Sequence, residues 1–461
     1  MKKQSKKFFE FPTTIVLLFM IMIAVLILTW IVPSGQFERI ELDGRTVVVP
    51  DSYTRIDNNP QNIFSLFTAI PKGFKEVESI VFFIFVVGGA FYIINETGII
   101  NAWLKKIIKV FNGKEYLAIT IIMLVLGFAG TTIGLKEETL MMIPLGIAMA
   151  NAFGFDDLTG VAMISLGAAF GFYTAVINPF SLGIAQEIAE LPLFSGIKLR
   201  LIMFVVYWII TSSYVVIYAR KIKKNPNKYI DANLIFEEQK SNVEPNNFIL
   251  WSVTLVVLAT FAIILFGVFK YDWFIVEIGA CFLIMSLICG LLNGKSFNQV
   301  SDSMIIGMGE LIEPAMVVVF ARAILVIMED GLILDTIVNY LTNIVSGFPG
   351  VIAAMGFYVI QILINFVIPA STGQAATTMP IMTPIADSVG ITRQTAVLAY
   401  MLGSGFMDSI IPTAGVLMAQ LSIGKIDYKR WVKFAAPLVA IWMLVGVLFL
   451  GVAYYIGYGP F

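Results

Sequence analysis

The 461-residue chain contains no histidine. That absence removes histidine metal sites and imidazole relays, so any proton carrier here would have to be a carboxyl group. Charge is scarce as well: 13% of residues are charged and the formal net charge is −1. A nucleic-acid-binding face needs a basic excess, which this balance does not offer. Only two cysteines occur, Cys281 and Cys289. On one helix they are about 12 Å apart in rise, too far for a disulfide, and read as packing residues. No nucleophile–base pair or metal cluster is visible, so nothing points to an enzyme. What fills the chain is apolar, 58% of residues with a mean hydropathy of +0.88. That composition excludes an ordinary soluble domain and indicates an all-α polytopic membrane protein.

Residues 1–10 carry four lysines and precede an apolar run from Thr13 to Val32, about 20 residues and so long enough to cross a bilayer. The expectation is a retained first span with a cytoplasmic N-terminus. Pro33 to Gln61 is polar, with Asp43-Gly44 between β-prone runs, and predicts a small external hairpin. Asn62 to Glu78 reads as an interfacial helix and Ser79 to Ile100 as a second span. Two basic clusters mark the inside, one from Lys105 to Lys114 and one from Arg220 to Lys228. Between them, Tyr116 to Ala129 and Thr139 to Ala152 are short for spans. They predict a re-entrant hairpin over about 116–152, followed by a helix over about 158–190 broken at Asn178-Pro179.

The second half repeats the first. Glu96-Thr-Gly98 recurs as Glu329-Asp-Gly331 and Pro179 as Pro412, both 233 positions later. A shared offset of this kind indicates internal duplication. The expected organisation is a first repeat over 1–219, a cytoplasmic linker over 220–247, and a second repeat over 248–461. The second repeat has its own hairpin over about 346–387 and broken helix over about 392–421. Counting charges outward from the linker inverts the second repeat. The result is about nine membrane spans and two opposed hairpins meeting near the midplane, the plan of an alternating-access transporter.

Several stretches resemble one known family. Leu28-Thr-Trp-Ile-Val-Pro33, Gly130-Thr-Thr with Glu137-Glu138-Thr139, Ile177-Asn-Pro-Phe-Ser181, Ala321-Arg322 with Glu329-Asp-Gly331, and Ile368-Pro-Ala-Ser-Thr-Gly373 look like the YfcC- and ArcD-like branch of the C4-dicarboxylate anaerobic carrier (DcuC) family. The likeness runs over nearly the whole chain and extends in plan to the wider ion-transporter superfamily. It implies a secondary transporter of the bacterial inner membrane, for dicarboxylates, basic amino acids or arginine/ornithine exchange. Carriers of this plan are often dimers, so it also implies a homodimer. The Ser-Asn-Thr tip signature of the sodium/dicarboxylate carriers is absent, replaced by Gly130-Thr-Thr and Ser371-Thr-Gly, so their ligand contacts do not transfer.

The residues themselves point to binding chemistry. Helix N-termini at hairpin tips attract carboxylates, and unwound carbonyls attract cations. Thr131, Thr132, Ser371 and Thr372, beside Gly130 and Gly373, could serve either ligand or simply satisfy broken backbone. Asn178 and Thr413, beside Pro179 and Pro412, stand where side-chain oxygens could join a sodium site. The carrier is either an exchanger or cation-coupled, in which case sodium or a proton would be the coupling ion; no other cofactor is expected. Buried charges usually pair or act in function; Lys136, Glu137, Glu138, Arg322 and Asp408 are the candidates, with Arg322 either binding substrate or pairing with one of those acids to join the halves. Acids outnumber bases here, which favours a small amino acid, basic ones included, over a C4-dicarboxylate or short-chain carboxylate. A passive channel or an ion antiporter without organic substrate is the alternative from another class.

Overall fold

The computed structural model describes residues 14–459, apart from 43–44, 112, 225–245, 272, 274, 346–347 and 349. The N-terminal lysines, the Asp43-Gly44 turn and most of the expected linker lie outside the described residues. The chain begins with α1 (Thr14–Ile31) and a small β region in which Arg39–Leu42 pairs antiparallel with Arg45–Val48. Then come α2 (Ile63–Glu76), α3 (Glu78–Glu96), α4 (Ile99–Phe111), α5 (Glu115–Ile133), α6 (Ile143–Ala152), α7 (Asp157–Thr174), α8 (Ile184–Ile188) and α9 (Ile197–Lys224). After residues 225–245 the helices are α10 (Asn247–Tyr271), α11 (Ile275–Leu292), α12 (Phe297–Glu310), α13 (Ile312–Asp330), α14 (Leu334–Val345), α15 (Gly350–Val367), α16 (Ser371–Val389), α17 (Arg393–Phe406), α18 (Gly415–Ile423) and α19 (Tyr428–Tyr455).

Among the described residues seven helices are long and apolar enough to cross a membrane: α3, α5, α9, α10, α11, α15 and α19. The pair α12–α13, bent by 48°, makes an eighth if taken as one span, while the apolar part of α1, Ile15–Ile31, is shorter. This count differs from nine spans because it is drawn from length and composition. It therefore takes in one arm of each expected hairpin and leaves out the two broken helices.

The centre of the fold is α7 and α17, which pack on each other. Nearly every residue of α7 from Leu158 to Thr174, and every residue of α17 from Gln394 to Phe406, is buried. A helix that is apolar or small on all sides is an inner helix, and these two carry the functional elements. Around α7 wrap α5, α6 and α9; around α17 wrap α15, α16 and α19. The start of α5 and the end of α6 lie together, with the Tyr116 and Phe155 ring centroids 5.7 Å apart, so the 115–152 segment leaves by the end at which it enters.

One sequence expectation changes here. The first arm of that hairpin has 19 residues, not about 14, because Gly130, Thr131 and Thr132 continue the helix instead of breaking it. Gly130 permits this: a Cβ there would meet the Ala168 carbonyl at 2.4 Å, so the bare Cα seats α5 against α7. The turn begins at Gly134, with φ +68°, where a side chain would be strained. α2 packs on α13 and α12 on α3, at contacts made by Gly73, Gly88, Gly89 and Gly307; an added Cβ at Gly307 would stand 2.5 Å from the Gly88 carbonyl oxygen.

The α5–α7 seam is tightest at Gly171, where a Cβ would sit 1.9 Å from the Gly127 carbonyl oxygen. Both partners there are backbone, so Gly171→Ala is expected to lose about 1–3 kcal/mol or more. A melt of the purified variant in detergent checks this; an unchanged midpoint would show that the seam can open freely.

Candidate functional site

The first tip runs from Gly134 through Lys136 into the 3-10 turn Glu137–Met142. The second is short, Ile368 to Ala370, after which Ser371, Thr372 and Gly373 form the first turn of α16. The inner helices break beside these tips. α7 ends at Ala175, in a left-handed conformation with φ +40°, and resumes at the π turn Pro179–Gly183. α17 passes through a single turn, Met407–Ser409, and resumes at Gly415. Side chains from each break tie it to the neighbouring arm. Asn178 Nδ2 donates to the Gly130 carbonyl at 3.4 Å, and Thr413 Oγ1 donates to the Phe366 carbonyl at 3.0 Å. Thr131 Oγ1 accepts from the Val176 N–H at 2.8 Å, and Thr132 Oγ1 donates back to the Phe128 carbonyl at 2.7 Å. The Asn178, Thr413 and Thr131 bonds take up backbone groups left over where helices stop, whereas Thr132 bonds back within its own helix.

At the centre, Lys136 Nζ lies 2.9 Å from Asp408 Oδ2, with Lys136 side chain 17% and Asp408 2% exposed. This pair joins the first tip to the second broken helix. Asp408 is further held by Asn365 Nδ2 at 3.0 Å and by the Tyr173 hydroxyl at 3.4 Å. Asn365 in turn reaches Gln374, whose amide bonds to Gln361 at 2.6 Å. Lys136 Nζ also sits over the Phe172 ring, 5.4 Å from its centroid. A second bridge crosses the same boundary: Gln420 Nε2 donates to Thr139 Oγ1, and Ser165 Oγ donates to Gln420 Oε1, both at 2.6 Å. A buried ion pair is costly to desolvate, and these added hydrogen bonds are what it requires.

The pair borders a cavity of about 310 Å³ whose charged lining is Glu76, Lys136, Glu137, Arg322 and Asp408. Arg322 does not reach the tip acids. Its Nε donates to Glu76, and Nη2 lies 3.6 Å from Glu329 Oε1. The acid beside Arg322 is therefore one from the end of α2, and Lys136 takes the bridging role expected of Arg322. Glu137 forms no ion pair among the described residues. With Glu76 matched to Arg322 and Asp408 to Lys136, it leaves this cavity with one carboxylate in excess.

A family model for the C4-dicarboxylate anaerobic carrier, DcuC, matches residues 11–455. The chain belongs to the DcuC family. A relative in Escherichia coli, "Putative basic amino acid antiporter YfcC", is 31% identical over 97% of each chain. An uncharacterized protein of Haemophilus influenzae is 30% identical, again over 97% of each chain. Among solved structures, the YdaH transporter of Alcanivorax borkumensis aligns over 97% of this chain and 100% of that one, at 15% identity and a TM-score of 0.43. The family match and the apolar helices make this DcuC-family chain an integral membrane protein of the transporter class.

Of the residues singled out in the sequence, the structure brings Lys136, Glu137, Arg322, Asp408 and Thr413 to the first cavity. Ser371, Thr372 and Glu138 line a neighbouring one. Gly130, Thr131, Thr132 and Asn178 instead support the arm and the break. Pro412 lies in the break and Gly373 in the first turn of α16, and neither borders either cavity. Glu76, Tyr173, Asn365 and Gln420 were not anticipated. Glu76 ends a helix that the sequence marks as interfacial. Tyr173 and Asn365 carry no charge, and Gln420 lies in an otherwise apolar run.

Proposed function

We propose that this DcuC-family protein is a secondary transporter that carries a small amino acid by alternating access, with a preference for a basic one. The observation behind this reading is the charge of the first cavity. Two ion pairs cancel and Glu137 remains, so a ligand with net charge +1 neutralises the site. A basic amino acid has that charge, and its α-carboxylate and α-ammonium are complementary to the Lys136–Asp408 pair. A dicarboxylate would add two negative charges to a site already carrying one. The name of the E. coli relative, which refers to basic amino acid antiport, is consistent with this reading.

The family description keeps C4-dicarboxylates as a second reading, with Lys136 and Arg322 as their cationic partners. In either case the carrier is a bacterial cytoplasmic-membrane protein with its N-terminus inside, built from two inverted repeats and working as a homodimer, with sodium, a proton or a counter-substrate as the driving partner. The equivalent ties of Asn178 to Gly130 and of Thr413 to Phe366 support the repeat. Counterflow in proteoliposomes tests the function. Labelled lysine or arginine is expected to accumulate against unlabelled internal amino acid, and succinate to fail to compete. Succinate counterflow without lysine counterflow would favour the second reading, and absence of any saturable counterflow would favour a channel.

A further inference from the structure

A second cavity, also of about 310 Å³, lies on the other side of the first tip. Leu135, Lys136, Glu137, Phe172 and Ala370 border both cavities, but the remaining walls differ. Here the lining is mostly apolar, with the aromatic residues Phe172, Phe261 and Trp273 and the aliphatic residues Ile264 and Ile278, and Glu137 and Glu138 border it as well. Trp273 is fixed in place: its backbone N–H bonds to the Gly267 carbonyl at 3.3 Å, and the bare Cα of Gly267 accommodates its ring.

The cation in this wall is already committed. Lys136 Nζ pairs with Asp408, which does not border the second cavity, and offers Glu138 only its backbone N–H, 3.2 Å from Oε2. Two acidic residues therefore border a largely apolar space without a cationic side chain paired to either among the described residues. Leaving a carboxylate unmatched in such a place costs several kcal/mol. An inorganic cation needs a shell of oxygens, and among the described residues no group of three or more His, Cys, Asp or Glu side chains that could hold a metal ion occurs. A cavity bordered by both aromatic residues and acids suits an organic cation, whose charge can interact with a ring and a carboxylate and whose body fills apolar walls.

We propose that the second cavity is a binding site for a small organic ammonium ion with a short aliphatic body, its nitrogen directed to Glu138 and Glu137 and its alkyl part against Phe261, Trp273 and Ile278. The site does not depend on which substrate the first cavity takes. Because Glu137 borders both cavities, occupancy of one competes for the carboxylate of the other.

The probe is n-butylammonium, with n-butanol as its uncharged counterpart, in thermal melts of the purified full-length protein, since a ligand of the folded state raises the melting midpoint with concentration. The ammonium is expected to stabilise the protein and the alcohol not to. Glu138→Gln and, separately, Trp273→Leu are expected to move the half-saturating concentration up at least tenfold, whereas Glu76→Gln, in the first cavity only, leaves it in place. Equal stabilisation by butanol would overturn the proposal by making the space a simple apolar hole. So would an unchanged response in Glu138→Gln, or loss of the response in Glu76→Gln, which would put the amine in the first cavity. If Glu138→Gln does not fold, Trp273→Leu and Phe261→Leu carry the same comparison.

Discussion

Asp408→Asn is expected to reduce amino acid counterflow at least 100-fold. Asp408 is the most buried charge of the first cavity and the only acid within reach of Lys136 Nζ among the described residues. Its neutral isostere keeps the Asn365 and Tyr173 contacts in shape but leaves the lysine ammonium without its ion-pair partner. Removing one partner of a buried pair costs about 3–5 kcal/mol, chiefly because the other charge stays behind. A drop in melting temperature is therefore expected together with the loss of transport. The double variant Lys136→Gln/Asp408→Asn separates the two effects. It removes both charges, so it should recover most of the lost stability and none of the transport. Normal counterflow in Asp408→Asn would remove this residue from the substrate path. Recovery of transport in the double variant would reduce the pair to a structural tie.

The reach of the sequence can be judged against the same residues. Hydrophobic run lengths gave the helices, and the prolines at 179 and 412 gave the breaks, because a backbone interruption in an apolar run leaves polar groups that must be satisfied. Lys136 and Asp408 stood out because a charge there is expensive, but nothing in a linear chain says which charge meets which. Pairing depends on the crossing of the first tip with the second broken helix, 272 positions away. Arg322 was assigned to that role because it sits mid-helix, whereas α2 packs on α13 and brings Glu76 to it first. Gly130-Thr-Thr misled for a related reason. A glycine followed by two threonines resembles a helix stop until a neighbouring helix is close enough to require the missing Cβ. α4 and α14 were missed as separate helices, being amphipathic and of 13 and 12 residues, too short to register as spans. Asn365 and Gln420 carry no charge to mark them, and their importance comes only from the groups they bond.

Glu137→Gln should change which amino acids are carried more than how well the protein folds. The carboxylate has no ion-pair partner among the described residues and borders both cavities, so its loss strands no opposite charge. It does abolish the single excess negative charge of the first cavity. Two unit charges at about 4 Å interact by about 4 kcal/mol at an effective dielectric of 20, and about 1.4 kcal/mol is already a factor of ten in affinity. Even a partly screened interaction with a substrate ammonium or guanidinium would therefore weaken lysine or arginine more than tenfold. A neutral amino acid should lose far less, so the ratio of lysine to alanine counterflow falls. Glu137→Asp keeps the charge and should keep most of the preference. An unchanged lysine-to-alanine ratio in Glu137→Gln would mean that the excess charge of this cavity does not select the substrate, and the basic-amino-acid reading would lose its physical support.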